Sequence, residues 1–394
     1  MTASRPFRSR FLHAACIGLA CACASAGGVL VYAEGWRDGI AGVSGIEDPV
    51  AIAVSPDGRQ VYVAGSGADA VAVFARDAGT GRLRLASVVR DGAGRVDGLD
   101  QPGDLALSPD GAHLYVAGFD ADALAVFARD PISGSLRFVA VMRDGIAGVA
   151  GLGGAVSVAV SPDGRSVYVA GREDDALVVF ARDAASGRLR FVETKREAGF
   201  GPTSIAIAPD GRHVYAAGFD ASAIAGYGRD AASGRLARVA TTSDADDPAH
   251  ALQRVASVAV SPDGRSVVAA SYGEDALELF ARDPQTGALR RQATARAGID
   301  AHARLRRPLA VAFDPSGREV YAAASEPGAL VAFDVDGGGL RPVAVHHDAG
   351  AETVAEACAL GISPGGDHVY VAGYGRSAIA LFRRGHSAGG GEQE

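Results

Sequence analysis

Cysteine, lysine, tryptophan and methionine are nearly missing from this chain of 394 residues, which has four cysteines, one lysine (Lys195), one tryptophan (Trp36) and two methionines. Cys16, Cys21 and Cys23 all fall within the first 26 residues, so without that stretch only Cys358 remains and no internal disulfide can form. No Cys-x-x-Cys-His haem attachment site, no His-Glu-x-x-His zinc motif and no phosphate loop leading into a helix is present. Cys358 begins an apolar run and reads as a core thiol rather than a nucleophile. Long hydrophobic runs are missing too. The longest, 11–24, is short of the roughly 20 residues that a membrane span needs.

That run follows Arg5, Arg8 and Arg10 and ends at Ala24-Ser25-Ala26, the pattern of a secretory leader over residues 1–26. The expectation is export to the periplasm or beyond. A lipoprotein attached through Cys21 or Cys23 is the alternative, although the residues before each make a poor lipobox. Beyond the leader 35 basic residues face 46 acidic ones, a balance of −11. So acidic a chain suits neither nucleic acid nor anionic lipid, and neutral, cationic or metal-bridged ligands fit better.

What is abundant is repetition. The segment 155–189 holds an apolar run, a Ser161-Pro162-Asp163-Gly164 turn, a second run, a polar loop, a third run, a Gly-ended turn and the start of a fourth run. Short Val-, Tyr- and Phe-rich runs between such turns predict a four-stranded antiparallel meander. Its turn proline recurs at Pro56, Pro109, Pro162, Pro209, Pro262, Pro315 and Pro364, at spacings of 53, 53, 47, 53, 53 and 49 residues. One such sheet cannot bury both faces, whereas seven stacked radially can. The fold class is therefore all-β, a seven-bladed β-propeller over residues 27–385, followed by a flexible tail, 386–394. The last unit lacks a fourth strand, and residues 29–34 lie in register with the fourth strand of the first unit. The N-terminal strand is expected to complete the last blade, and cutting residues 28–36 should destabilise the protein far more than removing 387–394.

Recurrence also sorts the side chains. Tyr62, Tyr115, Tyr168, Tyr215, Tyr321 and Tyr370 share one position, with Val268 as the exception, and are read as packing between blades. The Arg-Asp pairs beginning at Arg76, Arg129, Arg182, Arg229 and Arg282 stand at a turn, where the aspartates can cap local N–H groups. His113, His213 and His368 follow another turn and are read as surface residues.

Function is expected on the opposite face, where the second-to-third-strand loops and the crossovers between blades surround a channel mouth. Three crossovers, 37–46, 90–99 and 143–152, are near copies, that into blade 4 is short, and those into blades 5 to 7 depart most. They carry Asp244, Asp246, Asp247 and His250; Asp300, His302, Arg304, Arg306 and Arg307; and His346, His347, Asp348, Glu352 and Glu356. The loops add Phe119, Asp120, Arg172, Glu173, Asp174, Phe219, Asp220, Tyr272, Glu274, Glu326, Tyr374 and Arg376. Such residues suit acid–base chemistry beside an anion-holding arginine, or a carboxylate/imidazole cation site. Where the inner strands converge, the aligned residues are Ala51, Asp104, Ser157, Ser204, Ser257, Ala310 and Ala359, so Asp104 is the odd member. Asp104, Arg172, His302 and His346 are the candidate catalytic residues.

The repeat, Ser-Pro-Asp-Gly followed by Val-Tyr-Val-Ala and Val-Phe-x-Arg-Asp, resembles the lactonase-type seven-bladed propellers, which include 6-phosphogluconolactonase, the fungal muconate cyclases and exported proteins with Tyr-Val-Thr-Asn repeats. The resemblance covers residues 28–384 and rests on turn and packing residues. It implies either an exported binding or scaffold propeller or a hydrolase or isomerase of lactone-like compounds. The first reading takes a small molecule, glycan or protein at the mouth and spreads the polar residues over an open rim. The second gathers them into one pocket, with water activated by Asp104 or a histidine and the oxyanion held by Arg172 or the Arg304–Arg307 cluster. No cofactor is expected, although the carboxylates could take a divalent cation such as calcium. The oligomeric state is open, a monomer being compatible.

Overall fold

A computed structural model describes residues 30–244, 252–297, 305–346 and 353–385. The leader therefore lies outside the described residues. Alternating Val, Ala and Tyr form the strands, and turns with left-handed glycines end them; in Ser161-Pro162-Asp163-Gly164 the Gly164 N–H donates to the Ser161 carbonyl at 2.8 Å, with Gly164 at φ +68°. Seven four-stranded antiparallel sheets result. Blade 1 consists of Pro49–Val54, Gln60–Gly65, Ala70–Arg76 and Leu83–Arg90. The inner strands of blades 2 to 7 are Pro102–Leu107, Ala155–Val160, Pro202–Ile207, Val255–Val260, Arg306–Phe313 and Ala357–Ile362. Each inner strand packs against the next, and the seventh against the first, so the ring closes.

The closing blade is shared between the chain ends. Leu30–Arg37 runs antiparallel to Ala378–Arg384, pairing Leu30 with Arg384 and Arg37 with Ala378. Leu30 is buried, Tyr32 meets Phe382 edge-on at 5.8 Å, and Glu34 reaches Arg82 of blade 1 at 2.8 Å.

On the face of the Ser-Pro-Asp-Gly turns, neighbouring blades are tied by a repeated polar network. Arg182 of blade 3 donates through Nε to the Tyr115 hydroxyl of blade 2 at 2.9 Å, through Nη1 to the Gly164 carbonyl, and through Nη2 to Asp110 and to Nδ1 of His113, both at 2.8 Å. Tyr115 in turn donates to the Gly187 carbonyl. Tyr62 with Arg129, Tyr168 with Arg229, Tyr215 with Arg282, Tyr370 with Arg76 and Tyr321 with Arg384 repeat the pair at other junctions. Between blades 5 and 6 both partners are replaced together, and Val268 and Val335 join one apolar cluster. A fully buried guanidinium needs its partners, but an apolar pair needs none. The aspartates after these arginines do cap local N–H groups, as Asp183 caps Ser186.

His113, His213 and His368 are not surface residues. All three are buried, and Nδ1 of each accepts from the arginine of the following blade at 2.6–2.8 Å. Burial, then the adjacent guanidinium, holds each imidazole below its ordinary range. A depressed histidine binds fewer protons folded than unfolded, so its stability contribution is complete above the ordinary value of 6.5 and is lost as pH falls below it. Unfolding free energy should therefore decline on acidification from pH 7 to 5, each histidine adding no more than about 1.4 kcal/mol per pH unit. His113→Gln, which copies Gln60 of blade 1, should flatten the decline measured by urea titration; an unchanged slope would mean that His113 binds protons equally in the folded and unfolded states.

Candidate functional site

The opposite face is organised by one residue at the start of each inner strand, just ahead of it in six blades and second within it in blade 6. Asp48, Gln101, Gly154, Gly201, Arg254, Arg307 and Glu356 all occupy left-handed backbone, with φ between 45° and 61°. Their N–H groups point to the preceding blade. Those of Gln101, Gly154, Gly201 and Arg307 donate to Asp69, Asp122, Asp175 and Asp275 at 2.8–2.9 Å, and those of Asp48 and Arg254 to the hydroxyls of Ser377 and Ser222 at 3.1 Å. This conformation costs a side-chain-bearing residue about 1 kcal/mol, and the cap from the neighbouring blade holds it in place. The result is a ring of seven positions around the channel mouth.

Within a blade, that position and the second-to-third-strand loop exchange bulk. In blades 1 and 7 the ring residue is Asp48 or Glu356, and the loop has Gly67 or Gly375, where a Cβ would meet that acid at 3.0 Å. In blade 5 a Cβ at Gly273 would meet Gln253, beside Arg254, at 2.9 Å. Blades 3 and 4 reverse the arrangement. Their ring residues are Gly154 and Gly201, and the places of the missing Cβ atoms lie 2.6 Å from Glu173 Cγ and 2.2 Å from Asp220 Oδ2. Blade 2 keeps side chains on both sides, Gln101 donating to Asp120. The mouth is thus acidic at blades 7 and 1, acidic from the loop side at blades 3 and 4, and basic at blades 5 and 6.

Arg172 lies beside the acid of blade 4 and precedes that of blade 3 in the chain. Its Nη2 is 3.8 Å from Asp220, and its guanidinium sits 4.9 Å from the centre of Phe219. Phe119 closes the other side, with Cε2 3.2 Å from the Cβ place of Gly154. The short crossover into blade 4 ends at Gly201, where Asp220 leans over the backbone. A carboxylate in this sector can take a proton from water, and the stacked guanidinium can steady developing negative charge.

The other candidates are placed apart from this group. Asp104 faces the channel three residues deeper than Gln101, and its carboxylate accepts from Leu105 N at 2.8 Å, Val158 N at 2.9 Å and Ser157 Oγ at 3.1 Å. Ser157, Ser204 and Ser257 likewise accept from Ile205, Val258 and Val311 of the next blade at 3.2–3.3 Å. Ala51 of blade 1 can offer Leu105 no such acceptor, and the second oxygen of Asp104 serves that N–H instead. Burial pushes the Asp104 carboxyl up to about 6 against the pull of these three hydrogen bonds. His346 ends the outer strand of blade 6, its ring 5.9 Å from Phe382 of blade 7, so it joins neither Arg172 nor Asp104. His302 lies outside the described residues. Among the described residues no group of three or more His, Cys, Asp or Glu side chains is placed to hold a metal ion, and no helix is long and apolar enough to cross a membrane. Cys358 donates to the Pro49 carbonyl at 3.0 Å, and burial pushes its thiol up to about 12, far from a nucleophile's range.

The sequence model of the family described as lactonase, 7-bladed beta-propeller, matches residues 37–143 and 142–253, more than half of the chain. The chain belongs to this family. Similar solved structures include the periplasmic gluconolactonase of Pseudomonas aeruginosa, with 24% identity, a TM-score of 0.61 and coverage of 76% of this chain and 87% of that one. A Bacteroides uniformis protein described provisionally as a 6-phosphogluconolactonase shares 22% identity at a TM-score of 0.61, covering 75% and 87%. Hydrazine synthase of Kuenenia stuttgartiensis shares 21% at 0.63, covering 88% and 99%. At these identities the likeness is one of fold, and its bearers do different chemistry. No curated protein matches the sequence.

Proposed function

We propose that this lactonase-family chain opens a sugar-type lactone over the glycine-floored sector of blades 3 and 4, in preference to serving only as a binding scaffold. The observation that carries the reading is the exchange at Gly154 and Gly201, which lays Glu173 and Asp220 over the two glycines, with Asp220 3.8 Å from Arg172. In the proposed step Glu173 takes a proton from water as the oxygen attacks the lactone carbonyl. Arg172, positioned by Asp220 and the Phe219 face, steadies the oxyanion. The ring C–O bond then breaks, and the proton passes to the leaving alkoxide, giving the hydroxy acid. Asp104, deeper in the channel, would hold a substrate hydroxyl. The leader-like N-terminus and the periplasmic gluconolactonase of similar fold support action outside the cytoplasm.

Purified chain should accelerate hydrolysis of glucono-δ-lactone above the spontaneous rate, followed by acid release. Arg172→Ala should lower kcat/KM by about 10²–10³ and Glu173→Gln by about 10²–10⁴, with thermal unfolding unchanged. No acceleration over a panel of five- and six-membered sugar lactones, with or without added calcium, would overturn the reading. Asp104→Asn should raise KM more than it lowers kcat; unchanged constants would leave Asp104 only its blade-linking hydrogen bonds.

A further inference from the structure

Two arginines of the basic sector share a backbone conformation and an aromatic contact. Arg254 directly precedes the inner strand of blade 5 and Arg307 is the second residue of that of blade 6, both in left-handed backbone. Each lies over an aromatic ring from the loop of the preceding blade, Arg254 at 5.8 Å from Phe219 and Arg307 at 5.6 Å from Tyr272. The two rings are themselves 5.8 Å apart. With Arg172 on Phe219, the contacts run without a break over blades 3 to 6. A guanidinium stacked on a ring has already lost much of its freedom, while its in-plane N–H donors still point outward.

Charge and backbone point the same way. Arg307 is paired with Glu326 at 2.5 Å, but Arg254 is exposed and no carboxylate among the described residues lies within ion-pair distance of its guanidinium. Gly154 and Gly201 show that glycine serves at this ring position, where a long side chain is strained. Strain kept beside an unneutralised cation marks a position that meets a ligand.

We infer that this arc binds an acidic oligosaccharide, a chain of sugar rings that carries carboxylates. Two copies of one Arg-on-aromatic unit, set one blade apart, suit a ligand whose own charged groups repeat. Carboxylates would take the guanidinium edges in bidentate fashion, and the apolar faces of the sugar would lie along Phe219 and Tyr272. A single lactone ring would engage one unit only, so this inference goes beyond lactone opening and does not rest on it. The net acidity of the chain opposes any polyanion, so the attraction is local to this arc, and the oligonucleotide is the competing occupant that the test decides.

Calorimetry of the full chain against galacturonate, trigalacturonate, hexagalacturonate, maltohexaose and a six-nucleotide single strand tests it. Affinity should rise at least about tenfold from monomer to hexamer, as linked contacts add, and fall with salt, while maltohexaose should not bind. Arg254→Gly suits the left-handed backbone and should keep the thermal unfolding temperature, yet weaken hexamer binding about tenfold or more, the loss expected for a charged hydrogen-bonding group. Turnover of any neutral lactone on the same preparation should not change, which separates this inference from the reaction. Equal affinity for monomer and hexamer, tighter binding of maltohexaose or of the oligonucleotide, an unaffected Arg254→Gly, or no binding at all would each overturn it.

Discussion

Removal of residues 30–37 is expected to abolish cooperative folding of the ring. That strand supplies the outer edge of the last blade over its whole length, and its partner Ala378–Arg384 would be left as an open edge next to blade 1. Loss of the buried Leu30 contacts alone costs about 2–5 kcal/mol, and the Tyr32–Phe382 contact, the Glu34–Arg82 bridge and the ladder of backbone hydrogen bonds are lost with it. Because domain stability is about 5–15 kcal/mol, the sum leaves little or no folded population. Urea titration by circular dichroism should show a broad, early transition, and size-exclusion chromatography should show association through the exposed strand. A synthetic peptide of residues 30–37 added in trans should restore part of the transition by occupying the vacant edge. A truncated chain that unfolds at the same urea concentration as the intact one would mean that the ring does not depend on this closure.

This closure was legible in the sequence because it needs only the repeat: counting strands from each turn proline leaves the last unit one strand short and the first one strand over. The buried Tyr positions were legible for the same reason. The lower-face network was not. Tyr115 and Arg182 are 67 residues apart, in different blades, and read in chain order the arginine merely stands before a turn. His113 looked like a surface residue because the group that buries it arrives from the next repeat. The one clue was that the two exceptions, Val268 and Val335, are separated by the same 67 residues, which becomes informative only when the exceptions are compared with each other.

At the mouth the reasons differ. Nothing in the residue types Arg254, Arg307, Glu356 or Gln101 announces a left-handed backbone. The signal lay in two aligned columns taken together, where glycine in one accompanies an acid in the other at blades 1, 3, 4 and 7. Arg172 was singled out for its chemistry, and the structure adds Asp220 beside it. Asp104 was singled out as an exception in its column; its nearest partners are backbone groups of two blades, and their need for an acceptor is invisible until Ala51 is seen to provide none.

The paired absence of Tyr and Arg between blades 5 and 6 makes a sharp experiment at another junction. Tyr115→Val alone should destabilise the chain by about 3–5 kcal/mol, because it removes a buried ring and leaves the Arg182 guanidinium, with its side chain 1% exposed, short of a partner in the interior. Adding Arg182→Val takes the charge away together with its missing hydroxyl and reproduces the Val268–Val335 contact. Asp110, 45% exposed at the side chain, then falls back on water and on its own turn, where Ser108 and the Ala112 N–H also hold its carboxyl low. The double variant should therefore be more stable than Tyr115→Val by at least about 1 kcal/mol, a coupling that a double-mutant cycle reads directly from urea midpoints. The reverse exchange should show the same sign: Val335→Arg alone should destabilise, and Val268→Tyr added to it should recover stability. Simple additivity in both cycles would mean that each tyrosine acts only by filling space, and that the arginines hold the blades through the carbonyl and carboxylate contacts alone.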